Sequence, residues 1–126
     1  MSSAEDWRPL LRNALVTELE RTPSALTFRL RLVRQTSCLG MFVLFVGRLE
    51  PSEEFEFTDA CAESQPELVA ALFAGLREGF GEAGRPVRFT LLDDRTHAVD
   101  STERGHQLAG RLAAKYALEH FFELAS

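Results

Sequence analysis

The segment from Val87 to Leu118 constrains the fold more than any other part of the chain, because it predicts a strand, an exposed tip and a helix in direct succession. Val87, Phe89 and Leu91 alternate with other residues, which is the period of a strand with one buried face. The polar stretch that follows ends the strand and indicates an exposed tip. Beyond it, small and apolar residues recur at helical spacing as far as Leu118. A strand that leads directly into a long helix is typical of folds in which helices cover a sheet.

Three residues at the end of this tip are predicted to shape the turn and cap the helix. Asp100 and Ser101 have short side chains that accept hydrogen bonds from the free N–H groups at a helix start. Glu103 follows Asp100 at the spacing of a capping box. The pattern predicts that the helix begins near Ser101.

Three further strands are predicted before the first helix. Apolar and polar residues alternate from Leu26 to Val33, which indicates a strand between a core and solvent. The nearly continuous apolar run from Met41 to Val46 predicts a strand in the middle of the sheet, and Gly47 is predicted to mark a bulge. A short strand is predicted at residues 55–57.

Helical spacing predicts two long helices and a shorter one. The first long helix begins near Pro66, which suits the first helical turn because it lacks an N–H group, and ends at the glycine cluster Gly79, Gly81 and Gly84. In the second, the small face with Gly110 can pack on the sheet or on a second copy of the chain. Residues 7–19 predict a short helix, although residues 16–20 are equally compatible with a strand.

These elements predict an α+β fold, a two-layer sandwich of one mostly antiparallel four-stranded sheet covered by two long helices. A chain of 126 residues with 45% apolar content buries about two-thirds of its unfolded surface, which is enough for one core. We therefore expect a single domain, residues 1–126, with an N-terminal extension at residues 1–24.

Composition and missing motifs exclude several classes of function. The formal charge of -5 opposes strong binding to a phosphate backbone, although all but one of the 14 basic residues are arginine, whose planar group suits phosphate. The polar, acidic N-terminus has no targeting or membrane-spanning pattern, so a cytoplasmic protein is expected. No G-x-x-x-x-G-K-[ST] loop occurs, and we expect no bound nucleotide.

We also expect no cofactor, metal or catalytic site. Cys38 and Cys61 have neither a disulfide-framework nor a zinc spacing. A metal site built from His97, Asp100 and His106 is disfavoured, because His106 lies well inside the helix. The adjacent carboxylates of the tip should point apart on a strand and have no evident nucleophile beside them.

The residues around the predicted tip resemble domain IV of elongation factor G and of the related tetracycline-resistance ribosomal protection proteins. The pattern in that family is a strand, then D-G-S-x-H-x-V-D-S-S-E, then a helix rich in small residues. It is matched here by Asp93, His97, Val99, Asp100, Ser101 and Glu103. The family's K-Q-T-G-G-R-G-Q-F segment is similar to Arg34, Gln35, Thr36, Gly40 and Phe42. The resemblance covers about residues 34–120.

The resemblance implies a left-handed β-α-β crossover and a function in translation. In the family, the loops that correspond to residues 35–41 and 93–100 approach the decoding region of the ribosome. It therefore implies that the ribosome or a structured RNA is the partner, contacted by His97, Arg95, Arg34, Gln35 and Thr96. An alternative for His97 is a purely local role, in which it bonds Asp100 or a helix N–H group and shapes the turn.

The chain departs from the family pattern at both tips. Ser37, Cys38, Leu39 and Met41 replace the glycine pair, the arginine and the glutamine of the first tip, and Asp94 replaces the glycine of the second. A first tip with Cys38, Leu39 and Met41 exposed would suit a protein partner or a homodimer.

Three functions remain open on the sequence. A translation module predicts that the arginines and His97 gather at the tips, whereas a protein-interaction module predicts an exposed apolar patch at the first tip. A small enzyme predicts a pocket with a perturbed acid or base, for which the sequence offers no motif.

Overall fold

The computed structural model describes residues 14–34, 41–96 and 101–122. Five strands and two helices follow one another along the chain, and the second helix continues as one π-helical turn. In chain order they are β1 (Ala14–Arg21), β2 (Leu26–Arg34), β3 (Met41–Pro51), β4 (Glu56–Asp59), α1 (Pro66–Glu82), β5 (Val87–Arg95), α2 (Glu103–Ala117) and the π-helical turn (Leu118–Phe122).

The strands form one mixed sheet in the order β1-β2-β3-β5-β4. All neighbours are antiparallel except β4 and β5, which run parallel and are joined through α1. This β4-α1-β5 unit is a β-α-β crossover, as the resemblance implied, and its left hand stays a prediction. The α+β class, the mostly antiparallel sheet and the two long helices are confirmed, but the sheet has five strands and not four.

The additional strand is β1, where the sequence predicted a helix. Ala14–Arg21 pairs antiparallel with β2, so the alternative of a strand at residues 16–20 is confirmed and the predicted helix is wrong for the described residues; residues 7–13 lie outside them. The apolar residues of this stretch satisfy both a helical and an alternating pattern. Backbone hydrogen bonding to β2 decides between them, because tertiary context overrides weak local preference.

The core lies between the two helices and one face of the sheet. The rings of Phe28, Phe45 and Phe89 meet with centroids 5.8 to 6.3 Å apart in edge-on or tilted arrangements. Gly47 makes room for this cluster, because a Cβ atom there would overlap the Phe89 ring. Three adjacent strands are thereby fixed to one another through aromatic contacts.

The two helices approach closely through glycine. A Cβ atom on Gly110 would overlap the Leu72 carbonyl oxygen of α1, and one on Gly75 would overlap the Gln107 carbonyl oxygen of α2. Gly110 of the small face therefore packs on α1, whereas Ala109 and Ala113 of the same face are buried in the core cluster together with residues of the sheet. Backbone contact at this distance excludes any larger side chain.

Gly110→Ala is expected to lower the free energy of unfolding by about 1 to 3 kcal/mol, the usual cost of overpacking a filled core. The added methyl group forces α1 and α2 apart at Leu72. Urea denaturation followed by circular dichroism measures the change.

Gly81→Ala is the matched control, because a Cβ atom at that position of α1 meets nothing within 4 Å. The higher helix propensity of alanine predicts a stability that is unchanged or raised by up to about 1 kcal/mol. Equal losses in the two variants would contradict the close contact between the helices.

The edge strand β1 is held to the end of α2 by a polar cluster. Both carboxylate oxygens of Glu18 accept hydrogen bonds from Arg21 at 2.8 Å, and Oε2 also accepts one from the Tyr116 hydroxyl. Arg21 Nη2 donates in addition to the His120 carbonyl at 3.1 Å. The bonds from Arg21, and next those from Tyr116, lower the pKa of Glu18 to about 2.

Glu18→Gln is expected to flatten the pH dependence of stability in acid. The folded-state pKa lies below the ordinary value of 4.5, so the contribution of Glu18 is present above pH 4.5 and is lost as the pH falls towards about 2. The urea midpoint measured across this window should fall less steeply in the variant than in the wild type. Glu53→Gln, at an exposed position, is the control, and equal slopes for wild type and Glu18→Gln would refute the assignment.

Candidate functional site

The two predicted tips leave the sheet at the same end. Arg34, the last residue of β2, lies opposite Met41, the first residue of β3. Arg95, the last residue of β5, lies opposite Leu44. Segment 35–40 joins β2 to β3 and segment 97–100 follows β5, so both adjoin the same end of the sheet, which we call the tip end.

Side-chain hydrogen bonds join the elements that meet at the tip end. The Ser101 hydroxyl donates to the Phe42 carbonyl at 3.0 Å and so links the start of α2 to β3. Gln65 Nε2 donates to Thr96 Oγ1 at 3.1 Å and so links the start of α1 to the residue that follows β5. The base of the two tips is thus held by bonds among four elements, α2 with β3 and α1 with the end of β5.

The cap of α2 is Thr102, not Asp100 or Ser101 as predicted. Thr102 Oγ1 accepts a hydrogen bond from the Gly105 N–H at 3.0 Å, and the helix begins at Glu103. Three neighbouring residues all have capping side chains, and only the backbone path selects among them. The Ser101 hydroxyl instead donates a hydrogen bond to the Phe42 carbonyl of β3, and Asp100 lies outside the described residues.

A bulge in β5 turns Asp94 towards the core. Val46 lies opposite Asp93 but Gly47 lies opposite Leu91, so Leu92 is the additional residue. The extra residue shifts the alternation by one position. Leu92 is consequently exposed, whereas Asp94 is buried. The prediction of a bulge at Gly47 is confirmed, and the prediction that Asp94 belongs to an exposed tip is wrong.

Asp94 forms a buried pair with His106 of α2. His106 Nε2 lies 3.2 Å from both carboxylate oxygens, and the two side chains are only 1% and 0% exposed. The other ring nitrogen, Nδ1, lies 3.1 Å from the Thr102 carbonyl oxygen. The pair joins the end of β5 to the first turn of α2, so it fixes both ends of the segment that forms the second tip.

Sequence reasoning missed this pair. Asp94 occupies the position where the family pattern has glycine, and the sequence suggests for His106 only the role of a disfavoured metal ligand. The available signal was the doublet of Leu91 and Leu92, because two consecutive apolar residues break the alternation of β5 just before Asp94.

Asp94→Ala is expected to lower the free energy of unfolding by about 1 to 3 kcal/mol, because it leaves a buried imidazole nitrogen without its hydrogen-bond partner. Asp93→Ala is the matched control, since that carboxylate is exposed and its contact with Arg95 is 3.4 Å long. The control should change stability by no more than about 0.5 kcal/mol. Urea unfolding of both variants provides the comparison.

A double variant separates the loss of a pair from the loss of one partner. Asp94→Leu combined with His106→Phe replaces both groups by apolar ones, which can be nearly neutral when both partners of a buried hydrogen bond are removed together. It should recover most of the stability that Asp94→Ala loses. A loss of stability in the double variant equal to the sum of the losses in Asp94→Leu alone and His106→Phe alone would contradict the coupling.

The structure describes only some of the residues predicted to form the site. Arg95 is 73% exposed at the end of β5, and Arg34 ends β2 at the same end of the sheet, with β3 between the two strands. Met41 is half-buried, and its Cγ atom lies close to Gly105 of α2. Glu103 is exposed in the first turn of α2. The predicted residues outside the described ranges are Gln35, Cys38, Leu39, His97 and Asp100.

The described side chains include neither a metal-binding group nor a reactive thiol. In residues 14–34, 41–96 and 101–122, no group of three or more His, Cys, Asp or Glu residues is placed to hold a metal ion. Burial, and next a hydrogen bond with Asp59, raise the pKa of Cys61 to about 12, so this thiol stays protonated at neutral pH. Among the same residues, no helix is both long and apolar enough to cross a membrane.

Comparison with known proteins identifies the relationship. No family model matches the chain. Elongation factor G 1 of Syntrophomonas wolfei subsp. wolfei is 36% identical in an alignment 97 residues long, which covers 71% of this chain and 14% of that protein. The chain is a relative of elongation factor G. The chain spans about one seventh of that factor's length, so the relationship concerns one domain of it.

The fold agrees with this relationship. A crystal structure of a protein from Thermus thermophilus superimposes with a TM-score of 0.62 at 18% identity, covering 79% of this chain and 16% of that one. At this identity the match supports the fold alone. The five-stranded sheet with two helices is the fold of elongation factor G domain IV, and the relationship makes this a translation-related domain.

Proposed function

We propose that the chain is a cytoplasmic, non-catalytic translation module that contacts the ribosome or a structured RNA through tip loops 35–41 and 93–100. The observation that carries the proposal is that both loops leave the sheet at the tip end in a relative of elongation factor G. The contact set comprises Arg34, Gln35, Arg95, Thr96 and His97.

The tip end is suited to RNA contact because it is rigid at its base and carries arginine at its rim. Ser101, Thr96 and the Asp94–His106 pair are all hydrogen-bonded to other elements. Arg95 meets Asp93 only in an exposed contact, which contributes little energy and leaves the guanidinium accessible to phosphate. Preorganisation of this kind reduces the entropy lost on binding.

The alternative, a protein-interaction module built on Cys38, Leu39 and Met41, receives less support. Met41 packs beside Gly105 and Val43, so part of its side chain already stabilises the start of α2. The described member of that apolar set is therefore half-buried in this fold and not fully available to a partner.

Arg95→Ala combined with His97→Ala is expected to abolish co-sedimentation with 70S ribosomes at moderate salt. Wild-type protein should pellet with the ribosome at low salt and be released progressively as salt rises, because phosphate contacts release counterions. Quantifying the bound fraction over a salt series measures both effects.

The matched control is Arg85→Ala combined with His120→Ala, which removes the same two residue types outside the tip end. It should pellet like the wild type. Wild-type protein that remains in the supernatant at low salt would refute the proposal, and equal binding by the two double variants would remove the second tip from the contact.

A further inference from the structure

The sheet face opposite the helices carries a patch of arginine and aliphatic residues near the tip end. Arg31 lies between Leu15 and Leu44 on the neighbouring strands, and Arg29 lies next to Val46 in the following row. We call these five residues the arginine patch. Their side chains point away from the core residues of β2 and β3, because residues of a strand alternate between its two faces.

The two arginines of the patch differ from those elsewhere on this face. Arg48 lies near Glu20 and Glu50, and Arg88 is bonded to Glu56. Arg29 and Arg31 are exposed, and no carboxylate of the described residues forms an ion pair with either. The patch therefore has cationic groups that are available to another segment.

The apolar part of the patch points to a protein segment as the occupant. Leu15 is 57% exposed, the largest value among the large hydrophobic residues of the described chain. Leu44 and Val46 beside it are half-buried. Arginine surrounded by aliphatic side chains is typical of protein contacts, whereas sheets that bind RNA bases present several aromatic rings. No member of the patch is aromatic.

We propose that residues 1–13 of the same chain bind the arginine patch. This segment contains the apolar residues Trp7, Leu10 and Leu11, preceded by Glu5 and Asp6. Tryptophan is the aromatic residue that attracts a guanidinium group most strongly, and the leucines match the aliphatic side chains. The acidic pair complements Arg29 and Arg31. The basic residues of the segment, Arg8 and Arg12, follow Trp7, whereas the acidic pair precedes it.

The position and length of the segment allow this contact. Residue 13 joins Ala14, which is opposite Leu32 and lies at the tip end of β1, directly beside Leu15. The patch spans three strands, or about 10 Å at ~4.8 Å between neighbours. About twelve residues reach roughly 18 Å as a helix and roughly 40 Å when extended, so either conformation crosses the patch.

The protein contains its own reporter, because Trp7 is the one tryptophan in the sequence. Its emission in the native wild-type protein should be blue-shifted, with an acrylamide quenching constant several-fold below that of the same protein unfolded in urea. Arg29→Ser combined with Arg31→Ser should raise the native quenching constant towards the unfolded value. Circular dichroism verifies that the variant is folded, as expected for two exposed positions.

The matched control is Arg77→Ser combined with Arg104→Ser, which removes two exposed arginines from the helices and should leave Trp7 protected. A charge exchange tests the acidic pair. Arg29→Glu with Arg31→Glu should expose Trp7, and adding Glu5→Lys with Asp6→Lys should restore its protection.

Three results would overturn the inference. Trp7 quenched as strongly in the native wild type as in the unfolded chain means that the segment does not bind. Equal quenching in the patch and control variants means that it binds elsewhere. Protection that appears only at concentrations where sedimentation velocity detects a dimer assigns the patch to a second copy. Each result is independent of ribosome binding.

Discussion

The buried pair of Asp94 and His106 determines how the strand and the helix around the second tip are arranged. The bulge at Leu92 turns the carboxylate inward, and the imidazole of α2 meets it at 3.2 Å. Without the bulge, Asp94 would face solvent and the first turn of α2 would lack its contact with β5. The backbone that presents the second tip is therefore set by one extra residue and one buried hydrogen-bonded pair.

Close packing of the two helices fixes the position of α2 relative to α1. Glycines at the crossing bring the backbones of α1 and α2 into contact, so a displacement of α1 is transmitted directly to α2. The core phenylalanines hold β2, β3 and β5 together on the opposite side. The sheet and the helices thus form a closely packed base to which the two tip segments are joined.

Local periodicity predicted the central strands and long helices, because their buried faces repeat over many residues. It failed at β1, where a short amphipathic stretch fits two periods and only pairing with β2 decides. It failed at Asp94, because a bulge changes the phase of a strand without changing its composition. It selected the wrong cap among Asp100, Ser101 and Thr102, since all three have capping side chains. The contact of Gly110 with α1 could be identified only from the three-dimensional structure.

Hydrogen–deuterium exchange of the protein with and without 70S ribosomes tests the central claim most directly. The account predicts slower exchange on binding in peptides that contain residues 35–41 and 93–100, with no change in α1 beyond its first turn. Unchanged exchange at both tips, or slower exchange confined to the opposite end of the sheet, would contradict the account.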